Sequence, residues 1–184
     1  IALIHDHIYQ EIYSKKTGIL GMFETVDDEN VSRLLFDKAK SWCEEKGFSK
    51  LIGPMNLSIN HECGLMIEGF DLPPMLGIPY NPGYYEKHFQ GWGFNKSKDL
   101  VSFRLDLTKI PEYLQNAAYK LEKRGRFKVR SLNLSKFDEE LEIIWDIYNT
   151  AWDLNWSSVP MTRKEFMYAA EEMRSIVNSE YCLI

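Results

Sequence analysis

Between Gly53 and Gly83 the chain carries five of its seven prolines, Pro54, Pro73, Pro74, Pro79 and Pro82, together with several glycines. Proline lacks the amide hydrogen that a helix interior requires, and glycine punctuates helices and strands alike. No long helix can run through the middle of this chain. Regular structure is expected on either side of that stretch, and each flank has its own hydrophobic period.

On the N-terminal side, "IALIHDHIYQEIY" is mixed and roughly alternating, which predicts a strand. "KKTG" makes a turn and "ILGMFET" a second strand, so the pair reads as an antiparallel hairpin. From Asp27 the period becomes helical, with Val31, Leu34, Leu35, Ala39, Trp42 and Cys43 on one stripe. Asp27 or Asp28 caps that helix and Gly47 closes it. "KLIGPMN" is a short strand broken at Gly53-Pro54. "NPGYYEKHFQGWG" predicts a short helix with Asn81 capping, Pro82 at the first position and Gly93 at the end. "LVSFRLDL" alternates cleanly and predicts a strand.

Beyond Leu107 the character shifts. "IPEYLQNAAYKLEKRG" is an amphipathic helix with a basic end, "KVRSLNL" a strand, and "FDEELEIIWDIYNTAW" a helix with Leu141, Ile144, Trp145, Tyr148 and Trp152 on one face. Thr162 and Glu165 form a capping box for a last helix, and "EYCLI" begins another strand. The organisation expected is a unit over 1–107, a connecting helix over 108–128, and a second unit over 129–184.

With 184 residues, 45% hydrophobic and 27% charged, the chain has room for one domain or slightly more. A formal charge of −5 argues against a nucleic-acid partner. The odd count of three cysteines, Cys43, Cys63 and Cys182, fits a reducing, cytoplasmic compartment better than a disulfide framework. No run approaches the ~18 apolar residues of a membrane span, so no membrane partner is expected. The chain starts at Ile1 and stops inside "YCLI", and it reads as a fragment of a longer protein.

The passage "IGPMNLSINHECGLMIEGF" (52–70) concentrates the polar candidates. On an extended chain Asn56, Ser58, Asn60 and Glu62 share one side. They could orient an acceptor, with Glu62 as general base, or satisfy loop backbone groups, as Asn and Ser commonly do. His61-Glu62-Cys63 lacks the second ligand pair that a zinc site requires, so no metal is expected. A Cys63 nucleophile would need an activated thiolate. The cations Lys120, Lys123, Arg124, Arg126, Lys128 and Arg130 could meet a phosphate, or complement a helix dipole. Asn155 and Trp156 fall past a helix end, where they could line a groove.

"GILGMFET", the helix from Asp27, "LIGPMN" and "NPGYYEKHFQGWGF" together resemble the later part of the GNAT (acyl-CoA N-acyltransferase) fold. More narrowly, "GPMN", "ECGLMIEGFD", "PYNP" and the closing Gly-Phe resemble a group of bacterial GNAT-like proteins of largely unassigned activity. The resemblance implies an α/β (α+β) fold, a mixed, mostly antiparallel twisted sheet flanked by helices. The C-terminal part then resembles the front of a second such unit. The resemblance further implies an N-acyltransferase that uses acetyl-CoA or another acyl-CoA as co-substrate and a small-molecule or peptide amine as acceptor. It puts the pantetheine arm along Met22, Phe23 and Thr25 and beside the helix opened by Asn81, and gives Tyr84 or Tyr85 the role of acid. Glu62 becomes the base, and Asn56, Ser58, Asn60, Tyr80, Asn155 and Trp156 border the acceptor. A homodimer or an intrachain pairing of the two units would complete the assembly.

One segment departs from that family. Its glycine-rich pyrophosphate loop corresponds here to "TVDDENVS", where Asp27, Asp28 and Glu29 occupy the positive end of the helix. Each carboxylate near a pyrophosphate would cost on the order of 1 kcal/mol. The alternative implied is a GNAT-like module without CoA chemistry, serving as a binding or scaffolding domain.

Overall fold

The computed structural model describes residues 1–104, 106, 108–125 and 128–184. Their contacts group into two compact units, one of Ile1–Leu100 with Trp152–Pro160, the other of Val101–Ala151 with Met161–Ile184.

The first unit is organised by one fully buried strand. β1 (Ala2–Ile4) pairs antiparallel with β2 (Thr17–Gly21), and β2 pairs parallel with β3 (Lys50–Ile52), in the order β1-β2-β3. Every residue of β2 is buried. Because side chains alternate across a strand, Leu20 enters one core and Ile19 another. The Leu20 core holds Phe23, Phe36, Ala39, Tyr85 and Phe89. The Ile19 core holds Tyr9, Met55 and Val159. A strand covered on both faces reads as a continuous apolar run.

Helix α1 (His7–Ile12) follows β1 directly. It corrects the long first strand expected over 1–13. Asp6 Oδ1 accepts the Tyr9 amide at 2.9 Å, a cap that starts a helix at once, and Ile8 and Ile12 are four residues apart, which suits a helix as well as an alternating strand. Helix α2 (Glu29–Lys46) is capped by Asp28 and terminated by Gly47. It carries the chain across from β2 to the parallel β3, the connection that parallel pairing demands.

After β3 the chain turns through a cis Gly53–Pro54 bond. There β2 and the residue after the turn come together: Met55 N–H donates to Leu20 C=O at 2.8 Å. A Cβ on Gly21 would overlap the Met55 carbonyl, and one on Gly53 the Leu20 carbonyl. Helix α3 (Tyr84–Trp92) closes at Gly93. The expected Asn81 cap is corrected: the N-cap is Gly83, with no side-chain bond. The Asn81 side chain instead takes the Met66 amide at 2.7 Å and gives to the Met66 and Pro82 carbonyls.

In the second unit lie α4 (Glu112–Arg124), most of α5 (Phe137–Trp152) and α6 (Arg163–Met173). Its core is Leu132, Phe137 and Leu141, packed by Phe166, Met167 and Ala170 of α6. The capping box of Thr162 and Glu165 is formed. "KVRSLNL" and "EYCLI" meet only at an isolated antiparallel bridge, Ser131 with Leu183. Residues 100–104 and 106 are not in a strand, and Leu105 and Leu107 of that expected strand lie outside the described residues.

The GNAT-like architecture is therefore overturned. Among the described residues there are six α-helices and one open sheet of three strands, 3, 5 and 3 residues long. A splayed, mostly antiparallel sheet needs several long strands, and segments expected to supply them formed α1, an isolated bridge or irregular chain instead.

Candidate functional site

Two bulky apolar residues in the first unit have left-handed backbones, Met22 at φ 47° and Leu57 at φ 82°. An L side chain there crowds its own backbone at a cost of roughly 1–2 kcal/mol, so such residues persist only where the surroundings impose them. Both side chains are half exposed, Met22 at 52% and Leu57 at 49%, although burial would be the favourable destination for either.

At Met22 the neighbour that holds the backbone is Asn56. Its Oδ1 accepts the Met22 amide at 2.7 Å, and its Nδ2 donates to Glu62 Oε2 at 3.0 Å. The Asn56 amide donates to the Glu62 carbonyl at 2.8 Å. Asn56 thus joins Met22 to Glu62 beside the crossing of Gly21 and Met55, and Leu57 follows Asn56 in the chain. The other alternating polar residues serve the loop itself. Buried Ser58 accepts the Asn60 amide, and Asn60 Nδ2 donates to the Val159 carbonyl at 3.1 Å. That contact ties the loop to segment 152–160, which also contains Asn155 and the 41%-exposed Trp156. Tyr80 is exposed.

A second constellation lies where residues 24–25 meet α3. Tyr85 OH donates to Glu24 Oε1 at 2.6 Å and accepts the Thr25 amide at 3.1 Å, while Tyr84 OH donates to the Thr25 carbonyl at 2.8 Å. Burial first, and the hydrogen bond to Glu24 second, push the Tyr85 phenol up to about 12. The folded state therefore holds this proton where an unfolded tyrosine, near 10, has released it. Its stabilisation is complete below pH ~10 and is lost as pH rises through about 12. Alkaline unfolding in that window is expected to flatten in Tyr85→Phe, as followed by circular dichroism against pH.

His88 is next to this group. Its side chain is buried, with Nε2 3.2 Å from Asp27 Oδ1 and Nδ1 without a hydrogen-bond partner.

These contacts correct the acyl-CoA expectation. The sheet ends at Gly21, and beyond it the Met22 amide and both backbone groups of Thr25 are already bonded to Asn56, Tyr84 and Tyr85. Phe23 is core. The splayed strand edge implied for a pantetheine arm is not formed. With that edge fall the acetyl-CoA or acyl-CoA co-substrate, the N-acyltransferase activity, the leaning to an enzyme, the amine acceptor and the GNAT-like scaffold in either version. The paired assembly implied by that family falls with them.

Burial pushes the Cys63 thiol up to about 11, away from the activation a nucleophile needs. The thiolate needed for attack is scarce at neutral pH. Cys63 is expected to react with iodoacetamide more slowly in the folded chain than in urea, read by mass spectrometry. Among the described residues no group of three or more His, Cys, Asp or Glu could hold a metal ion, and no helix is long and apolar enough to cross a membrane. Leu57 carries no sign of its backbone in the sequence. The nearest signal is the polar crowding around it.

No family model matches the chain, and no solved structure matches it. The chain is 38% identical over 184 residues to Protein YghO of Escherichia coli (strain K12), a match spanning 97% of this chain and 46% of that protein. It is 34% identical over 165 residues to the Bacterial ceramide synthase of Caulobacter vibrioides (strain NA1000 / CB15N), spanning 88% of this chain and 42% of that protein. The chain thus spans a little under half the length of these curated relatives.

Proposed function

We propose that this chain recognises a long-chain amphiphile of the ceramide class, as one portion of a larger lipid-handling protein. The observation that carries the reading is the 34% identity to a bacterial ceramide synthase over most of this chain. The Met22–Asn56–Glu62 link, with Leu57 next to Asn56 in the chain, supports it. A ceramide offers hydroxyl and amide groups beside long apolar chains. The exposed Glu62 carboxylate supplies a polar partner for the first, and the half-exposed Met22 and Leu57 supply apolar surface for the second. The three free cysteines support a reducing, cytoplasmic setting.

The test is equilibrium binding of a fluorescent short-chain ceramide to the 184-residue chain, with a phosphatidylcholine bearing the same fluorophore as control. Saturable binding of the ceramide alone is expected. Met22→Asn combined with Leu57→Asn should weaken it roughly tenfold, about 1 kcal/mol or less for each apolar side chain removed. Asparagine tolerates the left-handed conformation, so the fold is kept. Absent saturation, or equal retention of the control lipid, would overturn the reading.

A further inference from the structure

The chain between Met66 and Asn81 is a loop whose ends are fastened together. The Asn81 side chain holds both backbone groups of Met66, at 2.7 Å and 3.2 Å. A Cβ on Gly83 would lie 3.7 Å from the Phe70 ring, which seats that ring against the start of α3. From there the loop turns twice, the Leu72 amide donating to the Gly69 carbonyl at 3.0 Å and the Ile78 amide to the Met75 carbonyl at 3.2 Å.

Residues 72–80 read "LPPMLGIPY", a run without a single charge. Met75 is 64% exposed and Leu76 77%, while Leu72, Ile78 and Tyr80 lie between 40% and 53%. Apolar residues exposed singly are ordinary on a protein surface, but a continuous run of them marks a contact site. The loop's two carboxylates, Glu68 and Asp71, both precede this run and are exposed at its root.

The backbone says what kind of contact. A chain that enters an apolar layer must carry in as few unpaired N–H groups as it can. Pro73, Pro74 and Pro79 have none, and those of Leu72 and Ile78 are used in the two turns. A protein interface favours the opposite arrangement, because hydrogen bonds are distributed across it.

We propose that the tip of this loop, residues 72–80, dips into one leaflet of a zwitterionic lipid bilayer. Met75 and Leu76 sit deepest, and Tyr80 stays at headgroup level, the depth that suits its ring and hydroxyl. Contact with one leaflet requires no spanning helix. Glu68 and Asp71 at the root repel an anionic surface, which selects neutral headgroups. The choice of a bilayer rests in part on the ceramide reading, since a two-chain amphiphile of that class is held in a bilayer and is met there.

The experiment is co-sedimentation of the chain with ceramide-free phosphatidylcholine vesicles and with phosphatidylglycerol vesicles, at low and high salt. Binding to phosphatidylcholine is expected, with little salt dependence, and phosphatidylglycerol should bind no better. Met75→Ser with Leu76→Ser should weaken it roughly tenfold or more, through the apolar area lost at two side chains. Both positions are exposed, so circular dichroism should show an unchanged fold. Leu34→Ser, equally exposed on α2, should leave binding as it was. Absence of binding to phosphatidylcholine, binding confined to phosphatidylglycerol, or no loss in the double variant would overturn the proposal. So would a self-associated chain that the double variant renders monomeric, which would make the loop a protein interface. Because the vesicles hold no ceramide, a failure here is separate from a failure of ceramide binding in solution.

Discussion

Gly21→Ala is expected to destabilise the first unit by about 3 kcal/mol or more, the upper end of what overpacking costs. The new methyl would overlap the carbonyl oxygen of Met55 and press on its carbonyl carbon and the Asn56 Cα. None of these atoms is the end of a flexible side chain. Relief requires β2 and the turn after β3 to separate, which breaks the bond from Met55 N–H to Leu20 C=O and displaces Asn56 from Met22. A fall in Tm of roughly 6–12 °C follows for a chain of this size, measured by scanning calorimetry. Gly91→Ala is the matching control. Gly91 lies within α3 with nothing near the place of a Cβ, so the substitution should stabilise by about 0.5–1 kcal/mol. An equal loss in both variants would refute the close-approach argument.

Phe36→Ala is expected to cost about 3–5 kcal/mol, through lost apolar burial plus the cavity left behind. Phe36 is completely buried. Its ring stacks on Phe23 at 5.0 Å between centroids and meets Phe89 edge-on at 4.8 Å, with Trp92 and Phe94 within 5.5 Å. No single neighbour can fill so large a gap, because four of them lean on the same ring. Leu34→Ala, on the same helix at 70% exposure, should change stability by no more than about 0.5 kcal/mol. Urea unfolding followed by tryptophan fluorescence separates the two. Similar midpoints would show that the helix is oriented otherwise.

That pair of variants also marks how far the sequence could be read. The boundaries of α2 are legible because Asp28 and Gly47 act on their own helix ends. Its buried face is less so. The stripe of Val31, Leu34, Leu35, Ala39, Trp42 and Cys43 competes with Ser32, Phe36, Ala39 and Cys43, and the second set is the one buried. Two overlapping apolar stripes on one helix are separated only by what packs against it, here the rings of Phe23 and Phe89. Residues 1–13 fail for a related reason: Ile4, Ile8 and Ile12 fit both periods, and the Asp6 cap tips the balance toward α1.

The candidate site was legible as a concentration of polar residues and not as a geometry. Asn56 and Glu62 stand out in the sequence, but their partnership with Met22 joins segments 34 positions apart. The resemblance to an acyltransferase rested on short motifs and on the order of elements, and the sheet those elements needed did not form. Order alone does not say whether a short apolar run finds neighbours enough to become a strand.

The sequence by itself determined the local punctuation: the proline-broken middle, the ends of α2, the Gly93 stop of α3 and the capping box of α6. Each depends on backbone preferences and side-chain bonds within a turn of the residue concerned. Only the tertiary structure decided that β3 pairs parallel with β2, that residues 152–160 join the first unit, and that Met22 and Leu57 adopt left-handed backbones. Those outcomes depend on contacts between residues distant along the chain. A bulky side chain forced into such a conformation leaves no mark in its own residue type.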